Sequence, residues 1–207
     1  MDFILNSLET IYFYTRGIPL DLLEYRLRPR SIAEKSTLKD SRWRYHSEEG
    51  FLGPNESLLD VIVQDYRTVK RLGKTYRELA IACYRILTES HREAYERDVS
   101  IGKEEREMIR KLGELQYDKE RFELVKFGWG IQPCPWCNNT IRINGGDVFV
   151  VDKKNPEDID KWPKSHSLVV PDLAPHLINF HYFFQGKGSP YRTDPEILVE
   201  FLESSKR

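Results

Sequence analysis

Apolar residues recur at helical spacing through most of the first 120 positions and give way to alternation after them. Residues 2 to about 15 read as a helix with Ile4, Leu8, Ile11 and Tyr12 inward, widened by Phe3, Leu5, Phe13 and Tyr14. Gly17-Ile18-Pro19 stops it, and Asp21 to Leu27 forms a short helix that Pro29 ends. Residues 28 to 56 show no period. Ser57 opens a helix with Leu58, Ile62, Tyr66, Val69 and Leu72 on its inner face, and Gly73 ends it. Thr75-Tyr76-Arg77-Glu78 is a capping box for the next helix. That helix runs to about Thr88, with Tyr76, Leu79, Ala80, Cys83 and Leu87 on its apolar side. From 89 to 120, charges of both signs surround a weaker stripe of Met108, Ile109, Leu112 and Leu115, the pattern of a solvated helix packed by one edge.

Alternation begins in Arg121 to Trp129, through Val125, Phe127 and Trp129. Thr140-Ile141-Arg142-Ile143-Asn144 and Asp147-Val148-Phe149-Val150-Val151 then flank Gly145-Gly146, a hairpin signal. Ser167 to Val170 adds a short strand. Asp172 caps a helix with Pro175 in its first turn, Leu173, Leu177, Phe180 and Phe184 as its apolar stripe, and Gly186 as its stop. Thr193-Asp194-Pro195-Glu196 caps a last helix with Ile197, Leu198, Phe201 and Leu202 inward.

Composition narrows the function classes. Of 207 residues 40% are hydrophobic, enough for a core, and 31% are charged, yet the formal net charge is −1. That balance disfavours a dedicated nucleic-acid binder. Arg28, Arg30, Lys35, Lys39, Arg42 and Arg44, interleaved with Trp43 and Tyr45, have the composition that single-stranded nucleic acid likes. Their own acidic neighbours make a solvated loop the preferred reading. Three cysteines, two of them in one short motif, make no disulfide framework and fit a reducing, cytoplasmic compartment. No stretch reads as a signal peptide or a membrane span.

The specific chemistry lies in Gln132-Pro133-Cys134-Pro135-Trp136-Cys137-Asn138-Asn139. Two thiolates two residues apart can hold one metal from a tight turn, and zinc wants four such ligands. A Cys pair at the start of a hairpin resembles the knuckle of zinc ribbons and zinc fingers. Two other resemblances carry less. Cys-Pro-Trp-Cys is similar to the glutaredoxin active-site sequence, but that chemistry needs a helix after the first cysteine, and here a hairpin pattern follows. His91-Arg92-Glu93 with Pro133-Cys134-Pro135-Trp136-Cys137 formally resembles the zinc nucleobase deaminases, with the wrong elements around both halves. Leu72-Gly73-Lys74-Thr75 resembles the turn of a helix-turn-helix, though a plain helical hairpin is preferred.

Of the remaining metal-binding candidates, Cys83 reads as a core residue, His46 as a loop residue and His91 as part of a charged helix end. His166, His176 and His181 follow the hairpin. His176 and His181 lie on one helix, about 140° apart on an ideal wheel, so they share a site only if the last turn loosens. The order of Cys pair, hairpin and a helix with two histidines resembles an expanded ββα zinc finger. The spacing departs from it: 38 residues lie between Cys137 and His176, where a finger has about 12. The resemblance implies the ligand logic, Cys134, Cys137, His176 and His181 on one Zn2+ with His166 in reserve, and not DNA binding.

The expected fold is α+β: a mostly helical part, residues 1–120, packed on a small antiparallel sheet with a zinc knuckle and C-terminal helices, residues 121–207. The sheet is too small to stand without its metal, which leaves a shared core open. A structural Cys2His2 site points to a binding or interaction module for a protein partner or other ligand. The alternatives are a zinc hydrolase with an open coordination position, using His166, Glu157, Asp158 or Asp160 for acid–base work, and then a Cys-x-x-Cys redox protein.

Overall fold

A computed structural model of the chain describes residues 8–38, 47–97, 115–127, 132–137, 142–143, 146–154 and 168–204. Its first element, α1 (Leu8–Thr15), ends where Arg16 and Gly17 both take left-handed backbone, φ 55° and 76°. The glycine does so without a steric penalty. Tyr14 and Thr15 are its buried residues, whereas Tyr12, expected inward, is exposed. An aromatic-rich helix has no unique apolar face, and here the contacts of Tyr14 choose it. Pro19 then leads into α2 (Leu20–Leu27) and Pro29 into a short α3 (Arg30–Ala33) that the pattern did not show. The chain returns at Gly50, where the amides of Phe51 and Leu52 both donate to the Leu27 carbonyl (2.8 and 3.1 Å). Phe51 and Leu52 are core residues, so this end of the stretch read as a solvated loop is packed. Lys39, Arg42, Trp43, Arg44, Tyr45 and His46 lie outside the described residues.

Helix α4 (Leu58–Arg71) buries Leu58, Val61, Ile62, Asp65 and Val69. Its start is not capped by the Ser57 side chain; the Leu58 amide donates instead to Glu24 Oε1 of α2 at 2.7 Å, which ties the two helices. Gly73, φ 63°, turns the chain. The capping box forms as the sequence requires: Thr75 N–H donates to Glu78 Oε2 (2.7 Å) and Glu78 N–H to Thr75 Oγ1 (3.2 Å). Helix α5 (Tyr76–Arg97) runs past the expected end near Thr88, because residues 89–97 are mostly good helix formers. The stripe of Met108, Ile109 and Leu112 lies outside the described residues.

Strand β1 (Phe122–Phe127) is followed by β2 (Gln132–Pro133), β3 (Arg142–Ile143), β4 (Asp147–Asp152) and β5 (Leu168–Val170). Sheet order is β1-β4-β5, all antiparallel, with Phe149 opposite Val125 on one side and Val169 on the other. β3 pairs with β2. The expected hairpin between 140–144 and 147–151 is therefore replaced: its two arms pair elsewhere. Residues Val148–Val151 are buried on both faces, which calls for apolar strands on either side of β4. Val148 and Val150 face the main core, and Phe149 and Val151 meet Val125 and Val169 on the other face.

Helix α6 (Ala174–His181) and helix α7 (Pro195–Ser204) complete the fold. Asp194 Oδ1 caps α7 by accepting from Glu196 N–H at 2.9 Å. The larger core packs α5 and α7 on the sheet around Leu79, Cys83, Ile86, Val148, Val170 and Phe201. Cys83 is fully buried, and burial pushes its thiol up, in keeping with a core role. The second core joins α1, α2 and α4 to Cys134 and Trp136. α6 is the wall between them, with Ala174 and Ile178 in the first and Leu173 and Leu177 in the second. Among the described residues no helix is long and apolar enough to cross a membrane.

One charge at the sheet makes stability pH-dependent. Burial, then the neighbouring Asp172, push the Asp147 carboxyl from 3.8 up to about 7. The folded chain thus keeps a proton that the unfolded chain releases, so this contribution is full at low pH and is lost as pH rises through about 7. Asp147→Asn is expected to flatten that fall, read as the difference in urea unfolding free energy between variant and parent from about pH 5 to 8.

Candidate metal centre

β2 delivers Cys134 into a turn, Cys134–Cys137, closed by the Cys137 N–H donating to the Cys134 carbonyl (3.3 Å). The turn is gripped from outside. Arg26 of α2, 1% exposed, donates through Nη1 to the Pro135 carbonyl at 3.1 Å. The Trp136 indole N–H donates to the Tyr14 carbonyl of α1 at 3.0 Å. Both bonds give a backbone carbonyl an N–H donor from a distant element.

The histidines come from α6. In an α-helix each amide reaches back four residues. Here the Tyr182 amide reaches five, to Leu177 O, and the Phe183 amide reaches six, to the same carbonyl (3.2 Å). A wider turn advances fewer degrees per residue, which swings His181 back towards His176. Tyr182 then ends the helix in left-handed backbone, φ 56°, before the expected stop at Gly186. The result inverts part of the predicted stripe: His176 and His181 are 5% and 4% exposed, and Phe180 is 51% exposed.

Four donor atoms converge. Cys134 Sγ lies 3.4 Å from His181 Nε2, and Cys137 Sγ lies 3.4 Å from both His176 Nε2 and His181 Nε2. The two Nε2 atoms are 3.2 Å apart, and all four donors fall within 4.8 Å of one another. Among the described residues this is the one His, Cys and carboxylate group able to hold a metal ion, and a Cys2His2 set fits a zinc site. The Trp136 ring lies flat on His181, centroids 4.6 Å apart and planes 15° apart. His181 Nδ1 is buried and finds no hydrogen-bond partner among the described residues. Metal-bound histidines usually donate that N–H to fix the ring; here the indole face does so instead.

Electrostatics separate the two thiols. A hydrogen bond from Cys134, then those from His176 and His181, bring Cys137 down to about 3, while burial pushes Cys134 up. Burial also lowers His181, favouring the neutral ring that a metal needs. Redox use requires an accessible first cysteine, whereas Cys134 is fully buried.

The structure thus brings Cys134, Cys137, His176 and His181 together. His166, Glu157, Asp158 and Asp160 lie outside the described residues, and His91 lies in α5. Arg26, Tyr14 and Trp136 support the knuckle through contacts between distant elements. Nothing in the sequence signals the first two, since a buried arginine in a short amphipathic helix reads as a surface residue. No protein-family model, curated protein or solved structure matches the chain.

Proposed function

We propose that Cys134, Cys137, His176 and His181 hold one Zn2+ ion in a closed, structural site, and that the chain is a zinc-stabilised binding or interaction protein. The observation that carries this reading is the set of donor separations. A tetrahedral site with ordinary zinc bond lengths has S···N edges of about 3.5 Å and an N···N edge of about 3.3 Å. The separations here are 3.4 Å for three of the four S···N pairs and 3.2 Å for N···N, with all four donors within 4.8 Å of one another. Two thiolates neutralise the divalent charge, so burial of the site costs little.

Bound there, zinc would supply cross-linking rather than catalysis, because four protein ligands leave no position for water. Cys134 and Cys137 would fix the knuckle, and His176 and His181 the open end of α6. Arg26 and Tyr14 would pass that order to α1 and α2. On this reading residues 121–207 form a metal-organised part against which residues 1–120 pack. Thiolate ligands suit a reducing compartment such as the cytoplasm.

The test is metal content by mass spectrometry on protein purified without added metal, beside a thiol titration under native conditions. One zinc per chain is expected, with Cys134 and Cys137 protected until a chelator is added. His176→Ala/His181→Ala is expected to lose stoichiometric metal. Retention of zinc by that double variant, or a reducible Cys134–Cys137 disulfide in metal-free parent protein, overturns the assignment.

A further inference from the structure

The exposed large hydrophobic side chains among the described residues are Tyr12 (69%), Phe13 (43%) and Phe180. They do not lie apart. Arg16 joins them, its Nη2 donating to the Phe180 carbonyl at 2.8 Å and its guanidinium resting over the Phe13 ring at 5.3 Å. Phe13 also stacks on Tyr182, centroids 5.5 Å apart, which fixes α1 against the end of α6. Clustered exposed aromatics on a small protein mark an interaction surface.

The charges say what fits it. Glu9, Tyr12, Phe13 and Arg16 line one shallow depression along α1. Glu9, Tyr12 and Phe13 are three and four residues apart on one face of α1, and Arg16, just past the end of the helix, continues the strip. The face has an acid at one end, a base at the other and two aromatics at the centre. Such a strip is self-complementary under a two-fold rotation through Tyr12 and Phe13. An antiparallel pair sets Glu9 of each copy against Arg16 of the other, twice, whereas a parallel pair sets like on like. A two-fold contact needs this reciprocity, residue i on j and j on i. The guanidinium has five N–H donors, of which the Phe180 carbonyl takes one.

We infer that this face is a self-association surface, where α1 of one copy packs antiparallel on α1 of a second, centred on Tyr12 and Phe13 and held in register by two Glu9–Arg16 pairs. The patch is smaller than a standard stable interface, so the dimer is weak, with Kd on the order of 100 µM. The inference stands on exposure and charge order and does not rest on the metal.

Sedimentation equilibrium of the full, metal-loaded chain from about 10 µM to about 1 mM tests it. A concentration-dependent dimer is expected. Glu9→Arg and Arg16→Glu each replace two attractions by two repulsions and are expected to weaken association about tenfold. The double variant Glu9→Arg/Arg16→Glu restores both pairs with the signs exchanged and is expected to return to within about threefold of the parent. Far-ultraviolet circular dichroism checks that each variant keeps its fold. A parent chain that stays monomeric overturns the inference, as does a dimer indifferent to the single reversals or not rescued by the double one.

Discussion

Chelating the metal from the purified protein is expected to lower its unfolding free energy by about 4 kcal/mol relative to protein held at a thousandfold excess of free zinc over Kd, as mass action on a native-only site requires. Cys134→Ser is expected to show at least that loss with zinc present, since it replaces a fully buried thiolate ligand by a hydroxyl that does not deprotonate to bind the metal. Cys83→Ala is the control. Cys83 sits in the other core, with Leu79, Ile86 and Val148, so its loss should leave metal content at one per chain. Urea unfolding with and without chelator reads all three. The loss should also be visible locally, because Trp136 stacks on His181 and bonds to Tyr14. Near-ultraviolet ellipticity should fall on chelation in the parent and start low in Cys134→Ser. A parent protein whose stability is indifferent to chelator would remove the structural role.

Arg192→Met is expected to cost about 3–5 kcal/mol, because it strands the Asp65 carboxylate in the core. Asp65 is 1% exposed on α4, and Arg192 meets it in a two-point pair, Nη2 to Oδ1 at 2.5 Å and Nη1 to Oδ2 at 3.2 Å. Arg192 also donates to the Gln185 carbonyl and to Asp194 Oδ2, so it pins the 185–194 loop to α4. Burial raises the Asp65 carboxyl, and the hydrogen bonds and charge of Arg192 hold it back. Without Arg192 the raised value is unopposed, and the folded chain keeps a proton that the unfolded chain loses. Stability contributed that way is present at low pH and lost as pH rises, so the deficit of Arg192→Met should grow between about pH 5 and 8. Asp65→Ala should cost about as much with no such slope. The double variant Asp65→Leu/Arg192→Met should cost much less than the sum, since no lone charge remains.

Much of the local structure is legible in the sequence. The Thr75–Glu78 box forms, Gly73 turns, Asp194 caps α7, and Cys83 is core, because each depends on residues a few positions apart. The hairpin about Gly145-Gly146 is not legible in this way. Its alternation is real in β4, but alternation does not name a partner, and two buried faces draw β4 to β1 and β5. Phe180 shows the same limit on a helix: periodicity puts it with Leu173 and Leu177, yet it is outside and the histidines are inside.

Sequence alone, then, determined α1, α2, α4 and α5 as far as about Thr88, the chemical class of the Cys134–Cys137 turn, and the four residues worth bringing together. These follow from short-range steric and hydrogen-bonding rules and from the scarcity of thiols and imidazoles in the chain. Only the tertiary structure decided that they meet. An ideal helix keeps His176 and His181 about 140° apart, and it is the amides of Tyr182 and Phe183 reaching back to Leu177 that open the last turn. Arg26 and Tyr14, more than a hundred positions upstream, hold the knuckle over it. Such contacts form between groups whose separation along the chain carries no pattern, so only the folded geometry can supply them.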